Sequence, residues 1–125
     1  MSAARGMELT GLNCNGNPLN PLPGAGPKHA DDLRRTIELA GLLGVGHVVT
    51  MSGTPGADPG AKYPSWVVNP WDGVYMDVLD YQWAVAGAFW QDIDALARAQ
   101  HQHIHGCRRW YRIPVQCDHI ELVAG

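Results

Sequence analysis

The side chains best suited to chemistry in this sequence are amide, hydroxyl, ammonium and indole groups that follow short apolar segments. They are Asn13, Asn15, Asn17, Ser52, Lys62, Trp66 and Trp71. The amides and the hydroxyl could hydrogen-bond the hydroxyl groups of a sugar, and an indole face suits the apolar side of a sugar ring. An Asn-Gly pair such as Asn15-Gly16 also forms turns without any ligand. These residues are candidate substrate contacts, and turn formation is the alternative for each asparagine.

Two predicted strands must position these residues. Residues 7–14 (MELTGLNC) offer apolar side chains for a first strand, which stops at the Asn-Gly turn signal. Residues 47–52 (HVVTMS) form a β-branched run bounded by glycines, a pattern typical of a strand buried on both faces. The candidate contacts therefore follow the carboxyl ends of two strands.

Two amphipathic helices are predicted. The first begins near Asp31, which is expected as an N-cap or first-turn acid. It ends at Gly44 and Gly46. The second has apolar residues at spacings of three and four, a stripe that predicts a long buried helix. The stripe consists of Leu79, Trp83, Ala86, Trp90, Ile93 and Ala97. We expect its indoles to be core residues.

The segment between the second strand and the second helix has no helical or alternating period. It carries four prolines but also two tryptophans and a tyrosine. A disordered linker is the alternative, but linkers are poor in aromatic residues. The composition therefore favours an ordered binding loop or lid.

The order of the predicted elements is strand, loop, helix, strand, long loop, helix. Strands that alternate with helices form parallel sheets, which predicts an α/β fold. Ligands of such folds bind at the carboxyl ends of the strands. This placement nominates the two loops as the site.

Composition argues against several classes of partner. The formal net charge is -3, the sequence pI is near 6.0 and the nine Lys and Arg are scattered, so nucleic acid is not expected. No apolar run reaches the roughly 18 residues of a membrane span, and residues 1–10 lack a signal-peptide layout. Three cysteines without CxxC spacing indicate reduced thiols. We expect a cytoplasmic protein without a membrane partner.

Four stretches resemble the sugar phosphate isomerase/epimerase family, whose members have a xylose isomerase-like TIM barrel. They are GLNCNGNPLNP, DDLRRTIELAGLLGV, VVTMSGTPGADPGAKYPSWVVNPW and LDYQW, within residues 7–100. The resemblance implies that residues 1–100 form a partial (β/α)8 barrel with a parallel strand-helix-strand-helix order. It also implies a sugar or polyol substrate and a divalent metal that assists proton transfer next to a carbonyl.

The chain departs from the family pattern in three ways. A complete barrel needs about 250 residues, twice what is present. The Glu-Met-His-Pro motif that the family carries after the long helix is not found after Gln100, and Asn15 stands where many relatives have His. We therefore expect residues 101–125 to be a divergent tail that is read out of frame or is otherwise unrelated to the family. We expect an inactive, truncated remnant that binds no metal by itself, with unknown catalytic residues.

Two further functions remain open at the level of sequence. A partial barrel would expose unpaired strand edges and could act as a non-catalytic interaction module, including by self-association. The alternating His101, His103 and His105, continued by Cys107, could bind zinc. Against zinc, same-face neighbours on one strand are about 7 Å apart and rarely converge on one ion. A further edge strand is predicted over Trp110 to Val115.

Overall fold

A computed structural model describes residues 5–69, 71 and 73–100, together with the backbone of residues 103–108 and 118–122. The elements are β1 (Leu12–Cys14), α1 (Gly26–Leu43), β2 (His47–Met51), α2 (Gly73–Ala99), β3 (His103–Arg108) and β4 (Asp118–Leu122). The predicted strand of residues 110–115 lies outside the described residues.

The four strands form one sheet in the order β1-β2-β3-β4. β1, β2 and β3 run parallel, and β4 runs antiparallel to β3. In the register, Val49 of β2 lies between Asn13 of β1 and His105 of β3. The predicted α/β class and the order strand-helix-strand-helix are confirmed. Within the described part of the chain, no helix combines the length and apolar character needed to cross a membrane.

The two strand predictions were partly wrong. β1 comprises three residues, and residues 7–11 precede it in irregular structure with Met7 and Leu9 about half exposed. β2 ends at Met51 and is buried on one face, because Val48 and Thr50 face the helices while Val49 and Met51 are each 45% exposed. The β-branched run alone could not reveal whether a second layer covers the other face.

α1 begins five residues before the predicted start. Its N-cap is Ala25, and Pro27 lies in the first turn. Proline suits this position because its fixed φ fits a helix and because N–H groups of the first turn have no acceptor within the helix. Asp31 is therefore not the N-cap but pairs with Arg35 one turn later, at 3.0 Å. Gly44 ends the helix at φ 68°, as predicted.

α2 has 27 residues and buries the predicted stripe at every position except one. Gln82 is fully buried, whereas Trp83 is 37% exposed and was wrongly assigned to the core. The remaining predicted positions, with Trp90 at 9% exposure, are buried. The error lies at a turn where the side chain of Gln82 binds carbonyl groups of the loop after β2.

The core lies between the helices and one face of the sheet. Its buried apolar members are Leu33, Ile37, Ala40, Val45, Val48, Ala86, Trp90, Ile93 and Ala97. The rings of Phe89 and Trp90 meet edge to face, with centroids 5.1 Å apart. This layer fixes both helices on the sheet and so determines where the two loops begin and end.

Candidate functional site

The β1 loop (residues 15–25) and the β2 loop (residues 52–71) leave the carboxyl ends of two neighbouring parallel strands. Carboxyl ends of adjacent parallel strands lie at the same edge of a sheet, so the two loops start side by side. All seven candidate contacts except Asn13, which lies in β1, belong to these loops. The predicted order of elements therefore placed the starts of both loops at the same edge of the sheet, and the role of the seven residues as substrate contacts stays a prediction.

Asn17 joins the two loops. Its Oδ1 accepts hydrogen bonds from the backbone N–H of Thr54 (2.9 Å) and of Leu19 (3.1 Å). Its Nδ2 donates to the carbonyl oxygen of Thr54 at 2.8 Å. The amide of Asn17 therefore serves both N–H and C=O of one residue in the other loop. This arrangement makes Asn17 a clamp between the loops, and its amide is already engaged when no ligand is present.

Two glycines allow the loops to approach their neighbours closely. Gly53 has φ +79°, and a Cβ there would lie 2.6 Å from Oδ1 of Asn17. Gly16 has φ +149°, and a Cβ there would collide with the imidazole of His29 on α1. Both positions combine a backbone conformation that favours glycine with a lack of space for a side chain. The start of each loop is thus packed closely against a side chain, that of Asn17 at Gly53 and that of His29 at Gly16.

Gln82 holds the neck of the β2 loop against α2. The neck consists of residues 54–56 and Ser65, where the two ends of the loop meet. Its Nε2 donates to the carbonyl oxygens of Ser65 (2.8 Å), Pro55 (3.3 Å) and Gly56 (3.3 Å). The neck also closes on itself, because the N–H of Ser65 donates to the Pro55 carbonyl and the Thr54 hydroxyl donates to the Ser65 carbonyl. The buried amide of Gln82 therefore binds both segments of the loop that meet at the neck.

Trp90 fixes the point at which the β2 loop begins. Its indole N–H donates to the carbonyl oxygen of Ser52 at 3.0 Å. Ser52 itself is 5% exposed, so this candidate contact lies beneath the loop surface. The loop is buried from Ser52 through Gly56 and again at Val67, which confirms an ordered loop over the linker alternative.

Five of the seven candidate contacts are exposed, three of them in the β2 loop. Lys62 is exposed and its Nζ lies 5.4 Å from the ring centroid of Tyr63. Trp66 is 56% exposed and Trp71 is 80% exposed. Asn13 and Asn15 are also exposed, Asn13 on the open face of the sheet beside Val49. These five side chains are available to a ligand, while Asn17 and Ser52 belong to the framework.

The sequence reasoning missed Thr54 and Gln82, the residues that organise the loops. Gln82 has a detectable signal, because the series 79, 82, 86, 90, 93, 97 is as regular as the one that includes position 83. A glutamine within such a series is a buried amide that needs partners. Thr54 has no comparable signal in the sequence.

One ion pair lies where α1 begins, beside the β1 loop. Lys28 Nζ and Asp32 Oδ2 are 2.7 Å apart. Their hydrogen bond raises the pKa of Lys28 and lowers the pKa of Asp32. Both groups are exposed, so solvent screens this pair and it contributes little to stability.

A metal site requires several ligand side chains close together. Among the described side chains, no three His, Cys, Asp or Glu lie close enough together to hold an ion. Of the tail residues, His103, His105 and Cys107 belong to β3, whose backbone alone is described, and His101 lies outside the described residues. The described residues do not fit the divalent metal that the family resemblance implies.

Comparison with known proteins gives one match over most of the chain. The uncharacterized protein YfiH of Bacillus subtilis (strain 168) is 45% identical over 98 residues, which are 76% of this chain and 31% of that protein. The chain therefore spans about a third of the length of this curated relative. No family model matches the sequence, and no solved structure matches it.

Proposed function

We propose that this chain supplies substrate-contacting loops of a protein of the sugar phosphate isomerase/epimerase type, with a sugar or polyol as ligand. The observation that carries the proposal is the joining of two loops, at the carboxyl ends of adjacent parallel strands, through Asn17 and Thr54. Ligand sites of parallel α/β folds occupy this position. The loop sequences are also those that resemble the family.

We propose in addition that the chain is part of a (β/α)8 barrel. Barrel strands are parallel and are covered on both faces, by helices outside and by packed side chains inside. β2 has helices on one face and the apolar residues Val49 and Met51 exposed on the other. An apolar open face is what a barrel strand would present if the rest of the interior layer were supplied by another polypeptide segment.

The exposed side chains have distinct roles in this proposal. The indoles of Trp66 and Trp71 stack on the apolar face of the sugar, Lys62 binds an anionic or hydroxyl group, and Asn13 and Asn15 bind hydroxyls. Proton transfer next to a carbonyl requires a base and stabilisation of the developing oxyanion. Among the described residues no three His, Cys, Asp or Glu lie close enough together to hold the metal that would assist this step, so we expect the chain by itself to bind its ligand without turning it over.

The experiment is a calorimetric titration of the chain with D-xylose and D-fructose, each with and without a phosphate group. Saturable binding that Lys62→Ala or Trp66→Ala abolishes supports the proposal. Arg98→Ala is the matched control, since this exposed cation lies at the end of α2 remote from the loops. Absence of binding to all four probes, or equal loss in the control, rejects the sugar site. Metal-dependent turnover by the chain alone would contradict the binding-only role.

The second candidate function is a non-catalytic interaction module. The open face of β2, with Val49 and Met51 each 45% exposed, favours association with another polypeptide. Size-exclusion chromatography distinguishes this function, because an interaction module should elute above the 13.6 kDa of the chain. Zinc binding by the tail remains a separate hypothesis. Calorimetry with zinc tests it through the loss of binding on replacing His101, His103 and His105 by alanine.

A further inference from the structure

The last two strands bring residues of the types that bind zinc to neighbouring positions in the sheet. β3 and β4 are antiparallel, and their register sets His105 opposite Glu121 and Cys107 opposite His119. Residues two apart along a strand share a face of the sheet, so the two pairs are neighbours on the same face. These four positions, the quartet, comprise two histidines, a cysteine and a glutamate.

The quartet lies on the face of the sheet away from the helices. β3 is parallel to β2, and its register sets His105 beside Val49. Val49 is 45% exposed, whereas Val48, on the helix-covered face, is fully buried. The quartet therefore belongs to the face that solvent reaches at β2.

The remaining residues of β3 and β4 support this register. The positions that alternate with the quartet belong to the helix-covered face, and there the ladder pairs Ile104 with Leu122 and Gly106 with Ile120. At its end, the ladder pairs the opposite charges of Arg108 and Asp118. A shift of either strand by one residue would move its half of the quartet to the core face. The alternation of apolar and ligand residues thus favours the pairing that forms the quartet.

The dimensions of a two-stranded ladder suit a single tetrahedral ion. Directly opposite residues have Cβ atoms about 5 Å apart, and same-face neighbours on one strand are about 7 Å apart. An ion above the centre of such a rectangle lies roughly 4 Å from each Cβ, measured in the plane of the sheet. A position nearer Cys107 suits the short thiolate, because imidazole and carboxylate groups extend farther from their Cβ atoms. Ligands from two strands therefore converge where ligands from one strand do not.

We propose that the quartet binds one zinc ion. Thiolate, imidazole and carboxylate are all zinc ligands, and four protein ligands complete a structural zinc site. The thiolate and the imidazoles favour zinc over magnesium or calcium, which prefer oxygen ligands. The thiolate and the carboxylate together balance the charge of Zn²⁺. The site is independent of the proposed sugar-binding loops, and its ligands differ from the histidine series of β3 alone.

Zinc at the quartet would join the last strand to the rest of the sheet. β4 is the final strand in the sheet order, and its described pairing is with β3 alone. An ion that binds both strands adds its binding free energy to their pairing, and the cysteine releases its proton to solvent. Zinc should therefore order the carboxyl-terminal part of the chain.

The test is titration of the full chain with Co²⁺ and then Zn²⁺, under reducing conditions and without a histidine tag. We expect one Co²⁺ per chain, with the visible absorption of tetrahedral cobalt and a thiolate charge-transfer band, both lost when Zn²⁺ displaces the cobalt. Cys107→Ser should remove the charge-transfer band, and His119→Ala should weaken zinc binding at least about a hundredfold. His101→Ala/His103→Ala is the matched control, because the described ladder of β3 with β4 begins at Ile104.

Three results overturn the site: no stoichiometric binding by the wild type, unchanged affinity in His119→Ala, or an equal loss of affinity in the control. The last result would assign zinc to the single-strand histidine series instead. If His119→Ala fails to fold, Glu121→Gln carries the test: affinity at least about tenfold weaker supports the site, and unchanged affinity refutes it. Sugar titration of Cys107→Ser separates the fate of this site from that of the proposed sugar-binding loops.

Discussion

Replacing Gln82 by methionine tests how α2 holds the β2 loop. The substitution keeps the length of the side chain but removes the donor to the carbonyls of Ser65, Pro55 and Gly56. The Ser65 carbonyl keeps its bond from the Thr54 hydroxyl, and the Pro55 carbonyl keeps its bond from the Ser65 N–H. The buried Gly56 carbonyl would be left without a hydrogen-bond donor among the described residues.

The expected loss of stability follows from the different situations of the three carbonyl groups. A buried carbonyl without a partner costs about 1–3 kcal/mol, and each bond lost elsewhere costs about 0.5–1.5 kcal/mol. Gln82 Oε1 is itself buried without a hydrogen-bond partner among the described residues, so removing it offsets part of the loss of stability. We expect a net destabilisation of about 2 kcal/mol from these terms.

Urea unfolding followed by far-ultraviolet circular dichroism measures this difference, from the midpoint and slope. Gln91→Met is the matched control, because Gln91 is exposed on the same helix and should change stability by less than about 0.5 kcal/mol. A Gln82→Met variant as stable as the control would refute the role assigned to the buried amide.

Gln82→Glu makes a pH-dependent version of the same test. A buried carboxyl group facing three carbonyl oxygens must keep its proton to donate, which raises its folded-state pKa above the unfolded value of about 4.3. The neutral form is then favoured by folding, so stability should be greatest below about pH 4 and fall as the pH rises above that value. The difference in unfolding free energy between variant and wild type, measured from pH 4 to pH 8, should widen steadily; a constant difference would contradict the buried position.

Three other substitutions test the core, a helix end and the contact between the loops. Trp90→Ala should cost about 3–5 kcal/mol and Trp83→Ala clearly less, because only Trp90 is buried; equal losses in urea unfolding would contradict the assignment. Gly44→Ala should cost about 1 kcal/mol because of its φ of +68°, whereas Gly46→Ala, free of close contacts and of positive φ, is the control for thermal unfolding. Asn17→Ala should increase hydrogen exchange at the Thr54 N–H by at least about fivefold, since it removes that group's acceptor, and unchanged protection would show that the clamp does not hold the loop.

The sequence identified a large part of the fold because local pattern and burial agree there. The periodicity that buries Leu33, Ile37 and Ala40 predicts α1, and Gly44 predicts its end. The β-branched residues between two glycines predict β2. The start of α1 was missed because a proline within the first turn looks like part of a loop until the helix is seen to begin at Gly26.

Placement of the candidate site at the strand ends also came from the sequence, through the order of elements and the position of the asparagines. The assignment of Trp83 rather than Gln82 to the core failed because two helical registers fit the same residues. The choice between them depends on the β2 loop, whose carbonyl groups lie on the Gln82 side of α2.

The sequence by itself determined the existence and order of β1, α1, β2 and α2 and of the loops that follow the two strands, because these depend on contacts within a few residues of one another. Tertiary structure decided that Asn17 and Gln82 are framework residues, because their partners lie 17 to 37 residues away along the chain. It likewise decided that one face of β2 is open. Hydrogen-bond partners and sheet coverage are properties of the packed chain, and no local pattern contains them.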